Sequence, residues 1–137
     1  LNGAIGGLVA ITAGPDLQQH AYAIVVGGIG GILVVFAVPF VDKLKIDDVV
    51  GAISAHLVCG VWGTLAVGIF GSGKLLTQLT GVVAIGVFTF VVSLVLWTIL
   101  KVTVGIRVTE EEEMEGLDKA ELGVEAYPEF GRGSQIG

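Results

Sequence analysis

A chain of 137 residues with 53% hydrophobic side chains, a mean hydropathy of +0.89 and only 15% charged residues departs from soluble composition; soluble domains average about 25% charged. Its net charge of −6 speaks against nucleic acid or anionic lipid as the partner of its charged part. The lone Cys59 forms no intrachain disulfide and reads as a small apolar packing residue.

Glycine is abundant, at 22 residues, without a G-X-Y period. Glycine inside apolar runs signals close helix packing in lipid, so the composition points to an all-α, polytopic membrane helix bundle. The first residue is Leu1, and no basic segment precedes an apolar core as in a secretory signal. The apolar opening run, Leu1 to Gly14, is too short to span and is expected to be the remainder of a helix whose beginning is missing. The chain is therefore expected to be a C-terminal fragment of something longer.

That first segment ends at Gly14-Pro15-Asp16, a helix stop followed by a turn. The second, Ala21 to Val41, holds 21 residues without a charge and has Pro39 near its end, where a bend is tolerable. The third uncharged stretch runs from Val49 to Gly73. The fourth, Leu75 to Leu100, has 26 residues without a charge; at 1.5 Å per residue it extends ~39 Å and must tilt or protrude. The expected organisation is a transmembrane region over residues 1–106, with spans near 1–14, 21–41, 49–71 and 75–102, followed by an acidic tail over 107–137. Gly3 and Gly7, like Gly27 and Gly31, are spaced for close backbone contact.

Charge fixes the expected orientation. Residues 1–106 carry four acids and four bases, whereas the tail carries nine acids and three bases, hence the whole −6. Lys43, Lys45, Lys101 and Arg107 fall on one set of joints and only Lys74 on the other, which places the 42–48 joint and the tail in the cytoplasm. His20 then lies in an outward loop and is most simply solvated. Trp62 and Trp97 fit either packing or interface roles and decide nothing.

His56 is the most informative side chain. An ionisable group in a membrane span is costly and marks a conduction or proton pathway by default, although a histidine that only packs against a neighbouring helix is the competing reading. Ala52, Cys59, Gly60 and Gly63 lie at −4, +3, +4 and +7 from it and, on a regular helix, share its face. That face is small and weakly polar. It admits either a neighbouring backbone or a narrow lumen.

Asp47-Asp48 precedes the third helix, where an acid accepts free backbone N–H groups and complements the helix dipole. With a helix starting near Val49, His56 lies roughly 12 Å from Asp48, too far for a direct acid–imidazole pair. The run Gly68 to Leu75 nearly matches a phosphate-binding G-x-x-x-x-G-K-[ST], but Leu75 removes the metal-binding hydroxyl and an apolar helix precedes it. The match is read as chance. No metal-ligand cluster and no Ser-His-Asp grouping is suggested, so neither a cofactor nor an enzymatic activity is expected. In the tail, Thr109 to Glu112 forms a capping box, Gly116 can end that helix, and Asp118 with Glu121 can open another. Met114, Leu117, Leu122, Tyr127 and Pro128 suggest a docking surface, and the residues after Phe130 read as a disordered ending.

The run from Asp47 through His56 to Thr64 closely resembles the penultimate helix of the ammonium transporter (Amt/Rh) family. Leu1-Asn2-Gly3-Ala4 through Ile11-Thr12-Ala13-Gly14 resembles an earlier helix. Val104-Gly105-Ile106-Arg107-Val108, the Glu110–Glu113 run, Glu115-Gly116-Leu117-Asp118 and Glu125-Ala126-Tyr127-Pro128 are similar to the cytoplasmic tail. The resemblance implies the last four of eleven transmembrane helices in a homotrimer of the cell membrane that conducts ammonium or ammonia. His56 matches the second of two pore histidines, with Ala52 beside it, and Asp48 matches a structural acid. Arg107, Gly116, Asp118 and Tyr127 fall in a regulatory tail that contacts neighbouring protomers and PII-type signalling proteins. Leu57 stands where glycine is usual, Val49 where proline is common, and Leu122 where a histidine is frequent; these departures bear on local packing and tail regulation. An ammonium sensor and a small structural four-helix protein are the alternatives. The 137 residues alone are not expected to transport, since an inverted-repeat pore needs both halves.

Overall fold

The computed structural model describes residues 1–17 and 19–128. Among these residues every regular element is helical: α1 (Asn2–Thr12), α2 (His20–Lys43), a π-helical segment (Ile53–Val58) running directly into α3 (Cys59–Phe70), α4 (Leu75–Thr103), α5 (Glu110–Glu115) and α6 (Leu117–Leu122). The chain divides into two compact units, Leu1–Phe90 and Val91–Gly137.

In the first unit α1, α2 and the π-segment with α3 pack around a core of small side chains: Ala10, Val26, Val34, Ala55, Cys59 and Ala66. Small residues serve because association in lipid depends on close van der Waals approach rather than on hydrophobic burial. The two glycine pairs meet each other. A Cβ on Gly7 would sit 2.9 Å from the Gly27 carbonyl oxygen, and one on Gly31 would sit 3.1 Å from that of Gly3. Further along α1, a Cβ on Gly63 would fall onto the Ala10 carbonyl oxygen. Trp62 Nε1 donates to the Val26 carbonyl at 3.0 Å, tying α3 to α2, so this tryptophan packs inside the bundle. Tyr22 and Phe70 close the same end, with ring centroids 5.3 Å apart.

Among the described residues, three helical stretches are long and apolar enough to cross a membrane: His20–Lys43, Ile53–Phe70 and Leu75–Thr103, whereas Asn2–Thr12 is a shorter apolar helix. α2 continues through Pro39 to Lys43. It ends in a Schellman arrangement, with Lys45 N–H donating to Asp42 O and Ile46 N–H to Val41 O. Lys45 takes the left-handed position usually given to glycine, at φ 58°. The third span begins later than the uncharged stretch from Val49 suggests. Val49 and Val50 form a turn, and Gly51 reverses the chain at φ 74° before Ala52 starts the helix.

The second unit holds the later part of α4 and the tail. Thr109 Oγ1 accepts from Glu112 N–H while a Glu112 carboxylate oxygen accepts from Thr109 N–H at 2.8 Å, a complete capping box for α5. Gly116, at φ 97°, separates α5 from α6. The expected disordered ending after Phe130 lies outside the described residues.

Candidate functional site

The site is built from the joint before the third span. Asp48, half-buried, accepts from Ile53 N–H at 2.9 Å, Ser54 N–H at 3.0 Å and Ser54 Oγ at 2.8 Å. One carboxylate thus satisfies free donors of the helix start and a buried hydroxyl together. Desolvation, the largest single influence, raises its pKa, yet the hydrogen bonds from Ile53, Ser54 and Ala52 together hold it below the ordinary value.

Downstream of this anchor the helix does not keep α-helical register. Ile53–Val58 forms a π-helical turn, in which i→i+5 hydrogen bonds accommodate an additional residue. This changes which side chains share a face. Cys59 and Gly63 are buried toward α1 and α2, while Ala52 and His56 are exposed. The single small face uniting Ala52, His56, Cys59, Gly60 and Gly63 on a regular helix is therefore split. Gly60 and Thr64 line the same cleft as His56, whereas Cys59 and Gly63 are buried.

His56, Leu57, Gly60, Val61 and Thr64 form one wall of a mostly apolar cleft of about 720 Å³, and Gln78, Gly81, Val82, Ile85, Gly86, Thr89 and Phe90 of α4 line it opposite. His56 is the only ionisable side chain among these lining residues. Thr64 Oγ1 returns a hydrogen bond to Gly60 O at 2.9 Å, which reduces its polarity toward the cleft. Leu57, where glycine is usual in the resembling family, lies exposed along the cleft. Gln78, Thr64 and Thr89 were not singled out from sequence; a polar residue inside an uncharged apolar run was the available signal.

In the tail, contacts are local to the second unit. Arg107 Nη2 donates to both carboxylate oxygens of Glu113, at 3.1 and 2.9 Å. The Asp118 carboxylate accepts from Ala126 N–H at 2.8 Å and Lys119 N–H at 3.0 Å, closing the segment after α6 back on itself. The Ala126 bond is the main reason that its pKa lies below the ordinary value. Met114, Leu117, Leu122 and Tyr127 are exposed.

Apolar helices of membrane-crossing length around a core of glycine, alanine and valine define the class: an α-helical, multi-span membrane protein. Comparison with known sequences takes the assignment further, because the model of the Ammonium Transporter Family matches residues 1–127. Similar proteins include ammonium transporter Amt1 of Haloferax mediterranei, 43% identical over 94% of this chain and 26% of the relative. Ammonium transporter Amt2 of Archaeoglobus fulgidus is 37% identical over 94% of this chain and 32% of its own length. Ammonium transporter Amt2 of Methanocaldococcus jannaschii is 35% identical over 93% and 33%. This chain belongs to the ammonium transporter family. It spans between a quarter and a third of the length of these curated relatives.

Proposed function

We propose that this chain contributes part of a transmembrane path for ammonium or ammonia within a longer protein, with His56 on the wall of a narrow apolar pore and Ala52 one turn from it. The observation that carries this reading is an exposed imidazole on an uncharged helix of membrane-crossing length, in a chain of the ammonium transporter family. Such a side chain is tolerated where it faces protein or a polar passage rather than lipid. The named relatives are ammonium transporters.

The chemistry suits the lining. Ammonium cannot enter an apolar passage cheaply as an ion, because desolvating an unpaired charge is prohibitive. Once its proton is left at the mouth, ammonia is a small neutral hydrogen-bonding molecule. An imidazole both donates and accepts, so His56 offers that molecule a partner or offers the proton a relay. Asp48 serves as the structural cap that fixes where this helix starts.

The rest of the assembly follows the same reading. The complete protein is a homotrimer in the cell membrane. Lys43, Lys45, Lys101 and Arg107 mark the cytoplasmic side, where the acidic tail lies. Arg107, Gly116, Asp118 and Tyr127 belong to a regulatory tail that meets neighbouring protomers and a PII-type signalling protein. The exposed apolar side chains of α5 and α6 support a docking role.

Uptake of labelled methylammonium by cells making the complete protein tests the central assignment. His56→Ala is expected to change uptake or its selectivity against other monovalent cations by at least tenfold, with protein levels in the membrane unchanged. Wild-type uptake and selectivity in that variant contradict the pore assignment.

A further inference from the structure

The proposal above treats His56 as a pore residue; what aims it is a separate question, and this inference rests on that reading. On a regular α-helix, His56 and Gly63 are seven residues apart and share a face. Gly63 is buried, with the Ala10 backbone where its Cβ would be. An α-helical His56 would thus be turned toward the α1 and α2 packing face. It is exposed instead, and the intervening π-helical turn accounts for the difference. One residue more or less in that turn corresponds to roughly 100° of rotation.

We infer that Ser54 and Cys59 are positioning residues that hold this π turn and thereby aim His56 into the cleft. Each grips one end of the turn, and both are fully buried. Ser54 Oγ donates to the Asp48 carboxylate at 2.8 Å, and Ser54 N–H reaches the same carboxylate at 3.0 Å. Cys59 follows the last residue of the turn. Its thiol lies 3.3 Å from Gly30 O on α2 and 3.7 Å from Ser54 O within the turn. A sulfhydryl is a weak donor, but this one is shared between a carbonyl of the turn and a fixed carbonyl of the neighbouring helix. Gly30 is packed closely against α1, since Gly6 O and Ala10 Cβ lie 2.8 and 2.6 Å from where a Cβ on it would be. The turn is thus tied to the joint through Asp48 and to α2 through Cys59. Ala55 N–H donates to Gly51 O at 2.7 Å, which secures the entry to the turn.

The test reads the direction of position 56 without relying on transport. In the complete protein, His56→Cys places a thiol there, and its labelling rate by a small charged methanethiosulfonate is measured in detergent micelles. Protein with Cys59 alone supplies the background. Adding Cys59→Ala or Ser54→Ala is expected to slow labelling at least tenfold, whereas Cys59→Ser, which keeps a donor of similar size, leaves it within twofold. In the His56 background, Cys59→Ala is expected to lower the maximal methylammonium uptake rate, and Cys59→Ser to restore it. Equal labelling rates in all these proteins, each eluting as a single oligomer on size exclusion, overturn the positioning claim while leaving the pore reading intact. Unchanged uptake in His56→Ala, by contrast, overturns the pore reading and not the geometry.

Discussion

Asp48 stands under opposed influences. Desolvation pushes its pKa up, while two backbone N–H groups at 2.9 and 3.0 Å and the Ser54 hydroxyl at 2.8 Å favour the charged form and prevail. A carboxyl whose pKa is lowered by folding stabilises the native state above its unfolded pKa of about 4, and that contribution disappears as pH falls through the lower folded value. Thermal stability of the complete protein in detergent is therefore expected to fall on acidification below about pH 4, and Asp48→Asn is expected to flatten that acid limb while lowering stability at neutral pH. Superimposable limbs for both proteins would contradict the role given to this cap. At the same scale, the pore role proposed for His56 depends on the direction it faces. Its value lies in being exposed where Cys59 and Gly63, close by on the same helix, are buried.

At the scale of elements, contact between backbones sets the design. A methyl group at Gly63 meets the Ala10 carbonyl with no flexible side chain to yield. Gly63→Ala is thus expected to destabilise the bundle by about 1–3 kcal/mol through overpacking, read as a lower melting temperature; an unchanged melting temperature would show that α1 is not held there. In the tail, Thr109→Ala removes both halves of the α5 capping box at a cost of about 1 kcal/mol. It is expected to raise amide hydrogen exchange over residues 110–115 and not in α2, and equal exchange in both proteins would contradict it. Much of this was legible in advance. The spacing of Gly3 and Gly7 and of Gly27 and Gly31 pointed to close backbone contact, which the two pairs make with each other, and Thr109 to Glu112 announced its own cap. The π turn was not legible. Ile53 to Val58 has the composition of any membrane helix, and the groups proposed to hold its register, Asp48 before it and Gly30 across the bundle, lie outside the segment. The left-handed Lys45 was equally hidden, since that position usually declares itself by a glycine.

For the whole molecule, the exposed faces carry as much meaning as the core. α4 buries none of its residues, although it is 29 residues long and mostly apolar. Hydrocarbon or other protein must cover such a surface. The relatives are three to four times longer than the segment they share with this chain, so the proposed pore requires more than the helices described here. The central claim is that His56 borders a passage completed by the rest of the protein. An experimental structure of the complete assembly in a lipid nanodisc tests it most directly. The account predicts a narrow, largely apolar conduit running past the His56 imidazole from one membrane face toward the other. An imidazole sealed against packed side chains or turned toward acyl chains, with no opening beside it, would contradict the account.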